Sequence, residues 1–483
     1  MPDICLAFEL HQPYRLNRYF SAQDKKLQTD PISIYLDDHN EKILRKVAEK
    51  CYEPATRLML DLLDKDFKAA FSISGTLVEQ LESWRPDVLS LLKEVATHKN
   101  SEFLAQTYYH SIAGIFKDKT EFINQVKEHQ SLISNTFGVK PEIFENTEFT
   151  FSNDLVDSIK EMGFKACYTE GVDRILGWRS PDYLYSCKGL PLIMRNYKLS
   201  DDVAFRFTNK DWDQYPLTAD KFSEWVSQSS GECVHLFIDY ETIGEHCWKE
   251  TGIFDFFRHL PDELMRRNVK PITPTEALRY SVRDDLDIPD FISWADAEKD
   301  ISAWLENSMQ RSAFRAVEKA RYFSCNSRIW RYLQTSDHFY YMASKFGSCG
   351  DVHVYFSHQS AFEAFSTYMD IISDFEDRCI KTAKYPKSTR ILRNVSREEA
   401  FYFSSEGGPT GHMAFSLDEF LEMVTVAPDD SIEYHIKRLD FSTWLDKVIG
   451  DEKLALELQK AKNRHDIIRI VEKRRNELWK RLK

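Results

Sequence analysis

Seven short apolar runs constrain this chain more than any other feature. They lie at residues 4–8, 67–73, 103–105, 143–144, 164–168, 191–194 or 203–207, and 234–238. Amphipathic stretches separate them. Phe122, Val126, His129 and Ile133 recur at helical steps, and Asn153 caps a second face of Leu155, Ile159 and Met162 that Gly163 closes. Short strands alternating with helices predict βαβ units and a parallel sheet. Seven of them predict an α/β fold, a distorted TIM-like (β/α)7 barrel. Residues 269–274 form its last short segment, and a helix opens at Thr275.

The rhythm changes near Asp284. Residues 310–323, 330–346 and 359–382 read as helices, and a charged stretch at 381–387 marks a further boundary. The expected domains are a barrel at 1–283, a helical domain at 284–385 and a small C-terminal α/β domain at 386–483. In the last, residues 400–403 and 432–436 are expected to pair as strands. Ser416-Leu417-Asp418-Glu419 forms a capping box, and the chain from Asp451 onward is charged and helical.

With 483 residues, 42% hydrophobic and 29% charged, the chain can bury a large core. A formal net charge of −13 argues against nucleic acid or an anionic membrane as a partner and is compatible with a neutral substrate. No run approaches the roughly eighteen apolar residues of a membrane span. Met1-Pro2-Asp3-Ile4 carries no secretory pattern, so a cytoplasmic protein is expected. The nine cysteines lack CxxC spacing, which predicts reduced, structural thiols. Aromatic residues make up 13%, enough for a bulky core with rings left over to stack on the flat faces of sugars.

The chemistry concentrates at 234–246. Val234-His235-Leu236-Phe237-Ile238 reads as a strand buried on both faces. It stops at Asp239, and Glu241, Gly244, Glu245 and His246 follow. A second run leads into Glu145-Asn146-Thr147-Glu148. Each alone is equally a strand followed by a solvated acidic turn. Two strand-end carboxylates facing each other across a barrel mouth are what glycoside hydrolysis needs, one to attack and one to donate a proton. His11, His110 and His246 also fall at strand ends, where the plain alternative is a satisfied core histidine. No HxH or HExxH spacing occurs, so no metal and no other cofactor is expected.

With these residues in view, the chain resembles glycoside hydrolase family 57, in its α-amylase branch. His11-Gln12-Pro13 is similar to the first of the family's five motif regions. Residues 102–115, with Tyr108-Tyr109-His110-Ser111, resemble the second, and Glu145-Asn146-Thr147-Glu148 the third. Ile238-Asp239-Tyr240-Glu241-Thr242-Ile243-Gly244-Glu245-His246 resembles the fourth. Leu333-Gln334-Thr335-Ser336-Asp337-His338-Phe339-Tyr340-Tyr341-Met342 resembles the fifth. All five stand in order over residues 3–375, and the C-terminal part looks like the tail of some archaeal members. The chain departs from the family at Phe144-Glu145, where a basic residue is frequent before Asn, at Gln106 in place of a common Glu, and at Ile243 in place of a frequent Phe.

The resemblance implies a seven-stranded barrel followed by a helical region that brings the fifth motif to the active site. It implies Glu148 as the nucleophile of a retaining mechanism and Asp239 as acid/base, with carboxyls about 5–5.5 Å apart. The implied substrates are the internal α-1,4 bonds of starch, glycogen or maltodextrin. It brings Asp337 and His338, otherwise plain surface residues, to the barrel mouth to bind substrate. On this reading His11 hydrogen-bonds a sugar hydroxyl or the nucleophile, His110 and His246 bind substrate beside it, and Trp178, Trp248 and Trp330 stack on glucose rings; burial in a core is the alternative. Glu241 and Glu245 either bind hydroxyls and orient Asp239 or form a solvated turn. A 4-α-glucanotransferase uses the same residues and intermediate, and a non-catalytic glucan-binding homologue is a third reading. Association into a homo-oligomer is left open.

Overall fold

The computed structural model describes residues 1–20, 31–323, 327–345 and 360–482. The chain divides into two compact units. One comprises Met1–Tyr14, Asp38–Ala303 and Gln334–Ser336, the other Arg15–Asp37, Trp304–Leu333 and Asp337–Lys483.

The first unit is α/β. Its strands are β1 (Asp3–Leu10), β2 (Ala69–Ile73), β3 (Ser101–Phe103), β4 (Ile143–Glu145), β5 (Ala166–Glu170), β6 (Leu184–Cys187), β7 (Leu190–Arg195) and β8 (Cys233–Asp239). One sheet runs β3-β2-β1-β8, all parallel. The other runs β4-β5-β7-β6, parallel except for β6 against β7. A parallel bridge joins Ala105, just beyond β3, to Phe144 in β4. Asn196 N–H, just beyond β7, donates to the His235 carbonyl in β8 at 2.8 Å. The sixth apolar run settles at β7. Residues 203–207 instead end a helix, Tyr197–Ala204, which Asn196 caps by accepting from Leu199 N–H.

All eight residues of β1 are buried, because both faces are covered. Leu6, Phe8 and Leu10 face an outer core shared with helices such as Glu53–Leu63, Pro86–Thr97 and Ile253–Arg266. Ala7 faces an inner cluster with Ala70, Ile143, Phe149, Tyr168 and Phe237. Two residues further on, the side chains that share this inner face are Glu9, Ser72 and Asp239, aligned in register. The period of two along each strand therefore turns the inner face from apolar to polar at the strands' C-terminal ends.

In the second unit, Ser360 and Glu363 form a capping box on the helix Ala361–Ile380. The helix expected at 330–346 is two short ones, Ser327–Tyr332 and Ser336–Tyr340, broken where Thr335 makes a bridge to Ser111. Residues 346 and 359, at the edges of two expected helices, lie outside the described residues. The strand expected at 432–436 is part of a helix, Asp429–Arg438, and β9 (Phe401–Ser405) pairs instead with β10 (Gly408–Ala414). Pro428 and two aspartates in the first turn favour the helix start. Ile432 and His435, three apart, are buried along with Ser431, and His435 packs on Phe401 and Phe441. The apparent alternation of Ile432, Tyr434 and Ile436 was coincidental with that helical face.

Cys5, Cys51, Cys167, Cys187, Cys233 and Cys247 are free and buried. Among the described residues, no helix is long and apolar enough to cross a membrane.

Gly244, in the turn after β8, has φ +112, and an added Cβ would lie 2.0 Å from the Lys50 carbonyl oxygen. Main chain blocks it, and its φ disfavours any side chain. Gly244→Ala is expected to lower the unfolding free energy by about 2–4 kcal/mol, measured by urea denaturation. A loss below about 0.5 kcal/mol would show that the turn relaxes freely.

Candidate active site

The turn after β4 presents Glu148 in an unusual way. Glu148 (φ +59) and Phe149 (φ +56) are consecutive left-handed residues, neither of them glycine. Each such residue costs about 1–3 kcal/mol, so surrounding contacts must hold the turn. Asn146 Nδ2 donates to the Thr150 carbonyl and Oγ1, each at 2.8 Å. Phe149 is fully buried, stacked on Trp294 at 4.9 Å and edge-on to Phe237 at 4.6 Å. Trp294 N–H donates to the Glu148 carbonyl at 3.2 Å.

The Glu148 carboxyl is then gripped at both oxygens. Trp294 Nε1–H donates to Oε2 at 2.7 Å, and the Ser336 hydroxyl donates to Oε1 at 3.0 Å. His110 Nε2 lies 3.5 Å from Oε1. His110 is itself left-handed (φ +47) and stacks on His11 with centroids 3.9 Å apart. Its Nδ1 is 3.1 Å from Gln106 Oε1. His11 Nδ1 is 2.8 Å from Ser74 Oγ, which also caps the helix Gly75–Trp84.

Asp239 ends β8 and is half-buried. Burial raises its pKa above the usual carboxylate range and the charge of Glu148 adds to this, while His246, Arg195 and His110 oppose. The carboxyls of Glu148 and Asp239 are thus within electrostatic reach of each other. Arg195, from the end of β7, is buried and saturated. Its Nε donates to the Phe237 carbonyl at 2.7 Å, and its other nitrogens to Glu170 at 2.9 Å and Asp201 at 2.8 Å. Its guanidinium lies 5.6 Å from the Trp294 ring centroid. Glu241 is buried rather than solvated. Burial pushes its carboxyl up to about 8, the Asp239 charge adds to that, and the Tyr52 hydroxyl donates to it. Glu245 is half-buried and pairs with Lys46 at 2.7 Å.

Other residues singled out in the sequence are placed differently. His246 is exposed beside Asp239. Trp178 is 86% exposed beside Arg179, and Trp248 is 60% exposed with Lys50 5.4 Å from its ring centroid. Trp330, in the second unit, is buried, and its indole N–H donates to the Val317 carbonyl at 2.7 Å. This ring is a core side chain with its polar edge satisfied, which corrects the sugar-stacking role expected of it. His338, also in the second unit, is no surface residue. Its Nε2–H donates to the Tyr332 carbonyl at 3.1 Å, and burial lowers its pKa to about 4. Asp337 is half-buried there, its charge acting on the Tyr341 hydroxyl.

Sequence reasoning missed Trp294, Ser336 and Arg195. Ser336 stood inside a recognised motif beside the two residues chosen from it. Trp294 and Arg195 carried no signal, since neither periodicity nor spacing marks them. Among the described residues, no group of three or more His, Cys, Asp or Glu is arranged to hold a metal ion.

Residues 5–289 match the model of Glycosyl hydrolase family 57. Over 394 residues the chain is 41% identical to a provisionally named alpha-amylase of Methanocaldococcus jannaschii, covering 77% of this chain and 84% of that one. Its fold is similar to that of a family 57 branching enzyme from Thermococcus kodakaraensis. There the TM-score is 0.58 and the identity 12%, over 80% of this chain and 92% of that one. It is also similar to a 4-alpha-glucanotransferase from Thermococcus litoralis, with TM-score 0.50 and 14% identity over 83% of this chain and 61% of that one. At such identities the two structures speak for the fold alone. With the family model matched over more than half its length and a 41% identical relative aligned over most of it, this chain belongs to glycosyl hydrolase family 57 and is a glycoside hydrolase.

Proposed function

We propose that this enzyme is a retaining hydrolase of α-1,4-glucosidic bonds in starch, glycogen or maltodextrin, with Glu148 as nucleophile and Asp239 as acid/base. The observation that carries the reading is the contrast between the two carboxyls. Glu148 is held at both oxygens by Trp294 and Ser336, whereas burial and the charge of Glu148 raise the proton affinity of Asp239. The provisionally named alpha-amylase relative supports the substrate class. We infer also that the two sheets are arcs of one closed (β/α)7 barrel in the order β8-β1-β2-β3-β4-β5-β7, with β6 outside it. The Ala105–Phe144 bridge and the Asn196–His235 bond support that closure.

In the first step Glu148 attacks the anomeric carbon while Asp239 gives its proton to the glycosidic oxygen, and the C–O bond breaks through an oxocarbenium-like state. The product is a glycosyl ester of Glu148. Esterification removes the Glu148 charge and with it one cause of Asp239's high proton affinity. Asp239, now ionised, takes a proton from the water that attacks the anomeric carbon, and the bond from that carbon to Glu148 breaks, releasing the sugar and the Glu148 carboxylate. His110, stacked on His11, helps to hold Glu148 beside the reacting carbon. Trp178 and Trp248 have rings open to glucose units further along the chain. Transfer to another glucan would use the same ester with a sugar hydroxyl in place of water.

Glu148→Gln and Asp239→Asn should each lower reducing-end release from a maltooligosaccharide by about 10⁴-fold, and NMR should show the α-anomer released first by wild type. Wild type no faster than these variants on any α-glucan would sink the reading, and net lengthening of maltotriose would assign transfer instead. Ser336→Ala should cost about tenfold and Trp294→Phe about 100-fold in kcat/KM, with unchanged far-UV circular dichroism; full activity in both would show that Glu148 needs neither donor. Only protonated Asp239 can act as the acid. As pH rises through its raised pKa, kcat/KM should therefore decline, at a pH above the ordinary carboxylate range. A decline already complete near pH ~4 would remove Asp239 from that role.

A further inference from the structure

Next to the candidate active site lies a second carboxylate pair that the mechanism does not use. Glu9 is the next-to-last residue of β1 and Glu145 ends β4, and both are buried, at 3% and 0% exposure. The hydrogen bonds around them can be followed atom by atom. His110 Nδ1–H donates to Gln106 Oε1 at 3.1 Å. Both hydrogens of the Gln106 amide are taken, one by Glu9 Oε1 and one by Ser72 Oγ, each at 2.8 Å. Ser72 passes its own hydrogen to Glu145 Oε2 at 3.1 Å. That leaves Glu9 Oε2 and Glu145 Oε1, both buried and both without a donor among the described residues.

We propose that Glu9 and Glu145 share one proton, and that the pair so formed is a positioning dyad for His110 and, through it, for Glu148. Two ionised carboxylates in a dry site repel strongly, and an orphaned carboxylate oxygen is costly. One proton between them removes the repulsion and satisfies both orphaned oxygens with a charge-assisted O–H···O bond. Burial raises both carboxyls, that of Glu145 to about 7, and for Glu9 the charge of Glu145 is the next cause. The charged and titratable groups facing the pair come from four places. They are His110 after β3, Glu148 after β4, Asp239 opposite Glu9 in the β1–β8 register, and the Cys167 thiol on β5.

The shared proton has a structural consequence. With Glu9 Oε1 and the Ser72 oxygen both waiting as acceptors, the Gln106 amide has one orientation, carbonyl toward His110. That fixes the Nδ1 hydrogen of His110 and aims its Nε2 at Glu148. Were the pair doubly ionised, Glu9 and Glu145 would be driven apart. Gln106 and Ser72, which bridge them, would move too.

This inference rests on Glu148 as the nucleophile, and the experiment separates the two. Glu9→Gln and Glu145→Gln each place an amide N–H where the proton lay. At about pH 6, infrared difference spectra should show one protonated-carboxyl C=O band lost in each variant relative to wild type, while Glu148→Gln keeps that band and loses turnover. Glu145→Ala, which strips partners from Ser72 and Glu9, should lose about 100-fold in kcat, and Glu145→Gln should recover most of it. A band that survives in either glutamine variant overturns the shared proton. Glu145→Gln as slow as Glu145→Ala, with both folded by circular dichroism, overturns the positioning role. Full turnover in Glu148→Gln would instead sink the nucleophile assignment and leave the band result standing.

Discussion

The contact on which the site depends is the indole of Trp294 against the turn that carries Glu148. Two consecutive left-handed residues cost about 1–3 kcal/mol each, more than the hydrogen bonds of Asn146 to Thr150 within the turn repay. Phe149, the second of them, is driven into the inner core, where it meets Trp294 and Phe237. Burying a phenylalanine is worth about 1.5–3 kcal/mol, and the Trp294 N–H to the Glu148 carbonyl adds a directional tie. The strained turn and the packed ring therefore stabilise each other. The same indole that stacks on Phe149 turns its N–H to the Glu148 carboxyl, which Ser336 also holds.

Around this turn the inner face of the sheets changes character within one residue pair. Ala7, Ala70 and Phe237 are apolar; Glu9, Ser72 and Asp239, two residues on, are polar. Several deep polar groups there are held by hydrogen bonds. Arg195 gives its hydrogens to Glu170, Asp201 and the Phe237 carbonyl, and Gln106 links Glu9 to Ser72. Histidines in this region show the two fates such a side chain can have. His129 and His235 are buried, with pKa values lowered to about 4 and about 3, and serve as neutral core groups. His110 instead lies between Gln106 and Glu148, with a ring nitrogen toward each.

Much of this was legible without coordinates. The apolar runs became β1 to β5, β7 and β8 because a strand covered on both faces must be apolar along its length. The carboxyls Glu148 and Asp239 were legible as motif residues at strand ends. Errors came where a local pattern fits two structures. Residues 432–436 alternate like a strand, yet the first-turn aspartates and the burial of Ile432 with His435 made a helix. Residues 203–207 looked as strand-like as 191–194, but Asn196 caps a helix across them. Trp330 flanks a motif, and its ring went into a core instead.

The sequence by itself determined which segments become parallel strands and that acidic residues stand at their ends, because hydrophobic periodicity is written in nearest neighbours along the chain. Tertiary structure alone decided which groups hold those acids. Trp294 is 146 residues from Glu148, Ser336 is 188, and Glu9 meets the network of Glu145 through Ser72 on β2 and Gln106 beyond β3. A hydrogen bond between such residues leaves no trace in spacing or composition, since it is set by register and packing that exist only once the chain has closed on itself.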